Sequence, residues 1–322
     1  RGMVDDLMGS RPNLIQQQAL DAENRFVLIC GGERAGKSIT ASRLAMYKIG
    51  LQTASDYKPR TYWIVGPDYR QCRPEFTYIY NAYQKAGWVK SSSMPVDPAS
   101  PWSMTLAWGD VIETRSSNDI TKLASFTIHG ALMVEAGQQE EAVWLKLRGR
   151  VSETRGWVII VGTLENGLPW FGAYLQRWKA PNPDGGRSFS FPTWSNTDIY
   201  PLGENDPEIL SLKATMPEDY FYERYAAEPI KSSLLVIPEF DFGVHVRPVQ
   251  IEKAAPVELF IDPGKHTYAI GFAQTFGAYT YVHDAIYTKG MIAQDVIPLA
   301  MRHPLWPLVL KNDRTHGTID FA

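Results

Sequence analysis

Residues 31 to 38 read Gly31-Gly32-Glu33-Arg34-Ala35-Gly36-Lys37-Ser38 and fill the pattern G-x-x-x-x-G-K-[ST]. The pattern constrains the fold strongly, because it needs a strand before it and a helix after it. Both flanks are present. The run from Arg25 to Cys30 is short, apolar and rich in aromatic and β-branched residues, as a buried strand requires. After the loop, Ala41, Leu44, Ala45 and Ile49 share one helical stripe, and Gly50 is the expected stop. In such a unit the glycines turn backbone N–H groups toward phosphates, and the helix start adds its positive dipole end. Lys37 would reach the β- and γ-phosphates of a nucleotide, and Ser38 would ligate Mg²⁺. The bland alternative is an ordinary glycine-rich turn.

Three further apolar runs end at residues worth attention. Arg60 to Val65 stops at Gly66-Pro67, Gly130 to Val134 at Glu135, and Gly156 to Val161 at Gly162-Thr163. Nearly continuous apolar runs fit a parallel sheet covered on both faces. Helical stretches at 76–86 and 138–147 lie between them, so the expected class is α/β. Ligands bind such sheets at the carboxyl ends of the strands. There Glu135 would orient an attacking water, unless it merely opens the next helix. Thr163 would sense a γ-phosphate or act as a simple cap. Gln16 would read an adenine edge through paired donor and acceptor, or belong to a polar helix face.

Composition narrows the class. The chain has 322 residues, 44% hydrophobic and 21% charged, with a net charge of −3, which suits a globular protein of two domains. The charge total does not announce a nucleic-acid binder, so DNA contact would need local basic patches. The two cysteines, Cys30 and Cys72, lack zinc spacing, and Cys30 falls in a predicted strand, which points to a reduced, cytosolic setting. No apolar run approaches membrane-spanning length and no secretory signal opens the chain.

A loop is expected at Pro181–Gly186, and a helical segment from Asp206 to Glu228 reads as a small lid or linker, or as the completion of the first core. From Pro256 the period becomes two. Val257–Asp262, Tyr268–Gln274 and Tyr279–Asp284 read as consecutive strands of an antiparallel meander, followed by a helix over 291–302 and a strand over 316–320.

Together these pieces resemble the large terminase subunit of tailed phages, the motor that packages DNA into a procapsid. The resemblance runs along nearly the whole chain. It takes in the Gln16 region, the glycine loop, the strand end at 63–67, Leu132–Gly137, Val161–Thr163, Leu168–Gly172, Phe191–Asn196, Ile237–Asp241 and Phe260–Gly264.

The resemblance implies a P-loop ATPase of the additional-strand, catalytic-Glu type with a mainly parallel sheet (1–190). A lid or linker (191–235) and a ribonuclease-H-like α/β nuclease (236–322) would follow. It makes Lys37 and Ser38 the holders of phosphate and Mg²⁺, Glu135 the catalytic carboxylate, Gly162 and Thr163 the coupling motif, and Gln16 the adenine contact. Two departures stand out. The family has Asp before the catalytic Glu, where this chain has Val134. The family's loop Arg falls at Glu33, with Arg34 one place later as the substitute for charge stabilisation; Arg148 and Arg150 are further candidates or a solvated helix end.

For the nuclease, a two-metal phosphodiester cut needs several carboxylates, and Asp262 and Asp320 are the implied pair, with Mg²⁺ or Mn²⁺ suited to an all-oxygen site. Asp284 is a weaker third acid, and His266 a neighbour or an exposed side chain. The family supplies a further acid beyond Ala322, so the nuclease is expected to be incomplete at its C-terminus. The implied partners are double-stranded DNA, a portal protein, a small terminase subunit and copies of the same chain in a ring, expected to be a pentamer. The implied place is the cytoplasm of the infected host and, transiently, the procapsid, with no membrane. Two other readings stay open: a nucleotide-binding assembly module with weak turnover, and a P-loop helicase or translocase.

Overall fold

The computed structural model describes residues 2–55, 58–124, 126–164, 169–229, 242–262 and 267–309. The chain divides into two compact units, Arg1–Glu239 and Phe240–Ala322.

The first unit is built on eight strands: β1 (Phe26–Gly31), β2 (Thr61–Gly66), β3 (Val89–Ser93), β4 (Ser103–Leu106), β5 (Val111–Ser116), β6 (Gly130–Met133), β7 (Trp157–Gly162) and β8 (Gly186–Phe191). Their order is β3-β4-β5-β2-β6-β7-β1-β8. The six strands from β5 to β8 pair in parallel, and the β3–β4 hairpin adds an antiparallel edge. Strand β7 stands between the glycine-loop strand β1 and β6, the strand that leads to Glu135.

Helices cover both faces. They are α1 (Gly2–Met8), α2 (Leu14–Leu20), α3 (Lys37–Ser55), α4 (Arg73–Lys85), α5 (Glu141–Arg150), α6 (Pro169–Arg177), α7 (Pro207–Thr215) and α8 (Glu218–Phe221). Strand β1 is buried throughout, and its alternation divides it between two cores. Val27 and Ile29 join Ala41, Leu44 and Phe76 of α3 and α4. Phe26, Leu28 and Cys30 join Trp144, Leu147 and Phe171 of α5 and α6. Phe26 meets Trp144 edge-on at 5.0 Å. Burial pushes the Cys30 thiol up to about 12 despite the field of Lys37, and it raises the Cys72 thiol too.

The expected strands at 25–30, 60–65, 130–134 and 156–161 correspond to β1, β2, β6 and β7. Gly50 does not stop the helix. Helix α3 continues to Ser55, because Gly50 is exposed with nothing within 4 Å of a would-be Cβ, while buried Met46 and Ile49 hold the turn before it. The next turn is anchored too: Gln52 Nε2 donates to the His129 carbonyl at 3.1 Å. The loop at 181–186 joins α6 to β8, a strand the sequence reading did not anticipate. Among the described residues, no helix is long and apolar enough to cross a membrane.

The second unit opens on α9 (Phe242–His245) and has three antiparallel strands, β9 (Glu258–Asp262), β10 (Thr267–Phe276) and β11 (Tyr279–Lys289), ordered β11-β10-β9. Helix α10 (Ala293–Met301) contributes Val296 and Ala300 to a core with Val257, Ile270 and Phe272. This is the expected meander and helix. The expected strand at 316–320 lies outside the described residues.

Candidate nucleotide-binding site

Strand β1 delivers the loop to the carboxyl edge of the sheet, and two later segments hold it from the side. Gly32 N donates to the Phe191 carbonyl at 2.8 Å, and Glu33 N to the Arg224 carbonyl at 3.0 Å. Thr193 Oγ1 donates to the Glu33 carbonyl at 2.7 Å, and Asn196 Nδ2 to the Arg34 carbonyl at 2.7 Å. Gly36 has φ +79°, which favours glycine. Lys37 then opens α3, whose first-turn N–H groups have no acceptor within the helix.

A cleft of about 650 Å³ is lined by Glu33, Lys37, Asp68, Arg70, Gln71, Pro74, Glu135, Gln138, Thr163 and Arg224. It collects residues from the ends of β1, β2, β6 and β7, the edge where an α/β sheet binds ligands. Glu135 sits there in the left-handed region, φ 49° and ψ 46°, a conformation that costs a non-glycine residue about 1 kcal/mol or more. Gly162 explains the tightness of the turn after it. A Cβ on Gly162 would fall 2.9 Å from the Ala136 and Gly137 nitrogens. Thr163 is buried beside it.

The other sequence-predicted residues are placed as follows. Gln16 is buried against the loop. Its Oε1 accepts from Asn13 N at 3.1 Å in a capping box, and its Nε2 lies 3.5 Å from the Ala35 carbonyl. An adenine contact would require the amide to leave these positions. Arg34 is exposed at the loop tip with φ 61° and does not line the cleft. Arg148 and Arg150 are not brought to the loop of their own chain. Arg148 pairs with Asp184 at 3.1 Å and lies over Phe26, at the opposite end of β1, about 17 Å of strand from the loop. Arg150 donates to the Ala124 carbonyl.

Arg224 and Glu75 are among the residues that escaped the sequence reading, together with Asp68, Arg70, Gln71, Pro74 and Gln138 of the cleft lining. Arg224, in the helical turn Tyr222–Ala226, pairs with Glu33 at 3.0 Å. Glu75, in the first turn of α4, is 2% exposed and packs beside α3, where Ser42 Oγ donates to its carbonyl at 3.4 Å. Burial raises its carboxyl to about 7, while Ser38 favours the ionised form and Glu135 opposes it. Neither residue sits in a motif, so only three-dimensional proximity reveals it.

In the second unit, Asp262 ends β9, exposed and opposite Ala269 of β10. Asp284 lies opposite Phe272. Positions 269 and 272 point to opposite faces of the strand, so Asp262 and Asp284 do too. Asp284 instead pairs with His303 at 3.1 Å, which holds its carboxyl below the ordinary range. As a third acid beside Asp262, it is therefore misplaced. Asp320 and His266 lie outside the described residues. Among the described residues, no group of three or more His, Cys, Asp or Glu is placed to hold a metal ion.

No family model matches the chain, and neither does any curated protein. Solved structures do. The large terminase ATPase domain of Thermus phage P74-26 is similar over 70% of this chain and 96% of its own, with 20% identity and a TM-score of 0.55. The large terminase of the thermophilic bacteriophage D6E, in complex with ADP, covers 90% of this chain and 73% of its own, with 13% identity and a TM-score of 0.53. The same D6E protein in complex with ATP-gamma-S gives a TM-score of 0.51 at 13% identity. The fold of the first unit is that of a large-terminase ATPase domain. The parallel sheet, the loop and the cleft of this chain all lie in its first unit.

Proposed function

We propose that this terminase-fold chain is an ATP-hydrolysing subunit of a viral DNA-packaging motor. The observation that carries the reading is the meeting of Lys37, Glu135 and Thr163 in one cleft at the tip of the glycine loop. Lys37 and the start of α3 bind the β- and γ-phosphates. Glu135 orients the attacking water and accepts its proton. Arg224 and Arg70, which line the cleft, and Arg34 at the loop tip are the arginines, among the described residues, nearest at hand to balance developing charge. Ser38 provides an oxygen donor suited to Mg²⁺, and a bound ion would neutralise the phosphate oxygens. Gly162, packed on the turn after Glu135, and Thr163, beside that turn in the cleft, are suited to pass a change at the γ-phosphate to β7.

The finer reading follows the same line. The motor translocates double-stranded DNA, gripping mainly phosphates, as a ring of copies on a portal in the infected cell, with a small terminase subunit choosing the target. The second unit is the part of the chain that would carry a ribonuclease-H-like nuclease, with Asp262 and Asp320 as its metal acids. Plasmid nicking in Mn²⁺ that persists in Asp262→Asn would remove that part of the reading.

The experiment for the motor is steady-state ATP turnover in Mg²⁺ by the wild type and Lys37→Ala, at rising protein concentration. Turnover should rise more than in proportion to concentration, as an assembly requires, and Lys37→Ala should lack both turnover and ADP binding. Binding without turnover at every concentration would leave a nucleotide-binding assembly module instead, the reading that Val134 favours.

A further inference from the structure

A buried carboxylate normally has a hydrogen-bonded or charged partner, because taking its charge out of water is costly. Glu75 is 2% exposed, and its Oε2 has no hydrogen-bond partner among the described residues. It is carried on the first turn of α4 to the interface with α3, where Ser42 Oγ donates to the Glu75 carbonyl at 3.4 Å. Ser38 lies one helical turn before Ser42 on α3, and Pro74, next to Glu75 in the chain, lines the cleft with Lys37, so Glu75 stands beside the start of α3. The adjacent tip of β6 offers no carboxylate on this side. Val134 is fully buried in the same core as Cys72 and Phe76, which flank the start of α4. A Cβ on Gly66 would touch both Cys72 Sγ at 2.8 Å and Val134 Cγ2 at 3.1 Å, so the valine faces α4 directly.

We infer that Glu75, reaching across from α4, joins Ser38 as the protein's share of a divalent-cation site that the nucleotide phosphates complete. The inference rests on the nucleotide site proposed above. The arrangement suits Mg²⁺, a hard ion that takes one or two protein oxygens and fills the rest of its octahedron with phosphate and water. It places the carboxylate on a helix rather than at the strand end, and it gives the unpartnered Oε2 a cation.

The test measures metal binding rather than turnover. ADP is titrated calorimetrically into the full chain in EDTA and in Mg²⁺, and Mn²⁺ binding to the ADP complex is followed by the loss of the free-ion electron paramagnetic resonance signal. Glu75→Gln keeps the size of the side chain and removes its charge. It should bind metal-free ADP within about twofold of wild type, lose the Mg²⁺-linked tightening, and bind Mn²⁺ about 10-fold or more weakly, the range for altered metal-site partners. Glu75→Asp should recover part of the Mn²⁺ affinity. It should melt in EDTA no lower than Glu75→Gln, so the recovery is not one of folding. Equal Mg²⁺ linkage and equal Mn²⁺ affinity in wild type and Glu75→Gln would overturn the inference while leaving the nucleotide site intact. Failure of the wild type to bind ADP in either condition would overturn both.

Discussion

Glu135→Gln should lower ATP turnover by about 10²–10⁴-fold, the usual contribution of a positioned base, and leave ADP affinity within about twofold. The geometry separates the two effects. Phosphate contact comes from Lys37 and the start of α3, whereas Glu135 reaches the cleft from the turn after β6. Glutamine preserves shape but cannot take a proton. The turn itself offers a second, opposite readout. Glu135 holds φ 49°, which glycine adopts freely. Glu135→Gly should therefore raise thermal stability slightly, by up to about 1 kcal/mol, while removing turnover. A strained residue that is harmful to stability and needed for activity is the pattern expected at a working site. Phosphate release at the wild-type rate from Glu135→Gln would end the assignment of Glu135 as the base.

Gly32→Ala should destabilise the first unit by about 2–4 kcal/mol and abolish ADP binding, combining overpacking with the loss of loop hydrogen bonds. A Cβ there would fall 2.4 Å from Thr193 Oγ1 and 2.4 Å from the Tyr225 carbonyl. The first contact is a side chain that could turn away. The second is backbone and cannot. Relief would push the loop off the segments at 191–196 and 224–225. It would break Gly32 N to Phe191 O, Glu33 N to Arg224 O and Thr193 Oγ1 to Glu33 O together. Thr193→Ala should not rescue Gly32→Ala, because the Tyr225 carbonyl remains. Thermal melting and ADP titration on the single and double variants read this directly. A Gly32→Ala protein that melts with the wild type and binds ADP would mean the clamp is slack.

The same clamp bears on the segment from Asp206 to Glu228, for which two readings were open. Ile209, Phe221 and Tyr225 form a small cluster of their own, as a lid would. Yet Arg224 and Tyr225 also touch the glycine loop, as a completed core would. Lid and core are joined through the loop.

By itself, the sequence determined the local pieces. Continuous apolar runs marked β1, β2, β6 and β7, because strands buried on both faces admit little else. The loop pattern marked Gly31 to Ser38, because the turn needs its glycines and the phosphates need its lysine and serine. Alternation marked β9 to β11, because one face of that sheet is solvated. Residues whose role depends on distant partners were not legible. Gly50 reads as a stop until its open surroundings are seen. Gln16 reads equally as an adenine contact or a polar helix face, and only the fold shows its amide engaged by Asn13 and beside Ala35. Arg148 reads as a solvated helix end or as an arginine supplied within or between subunits, and helix α5 carries it to the end of β1 away from its own loop. Arg224 and Glu75 carry no motif, and only the crossing of chain segments nearly two hundred and nearly forty residues from the loop places the one in the cleft and the other beside the helix that the loop opens. Local pattern selects secondary structure through burial and backbone geometry. Which charges meet is set by the order of the strands, and that order is a property of the tertiary fold.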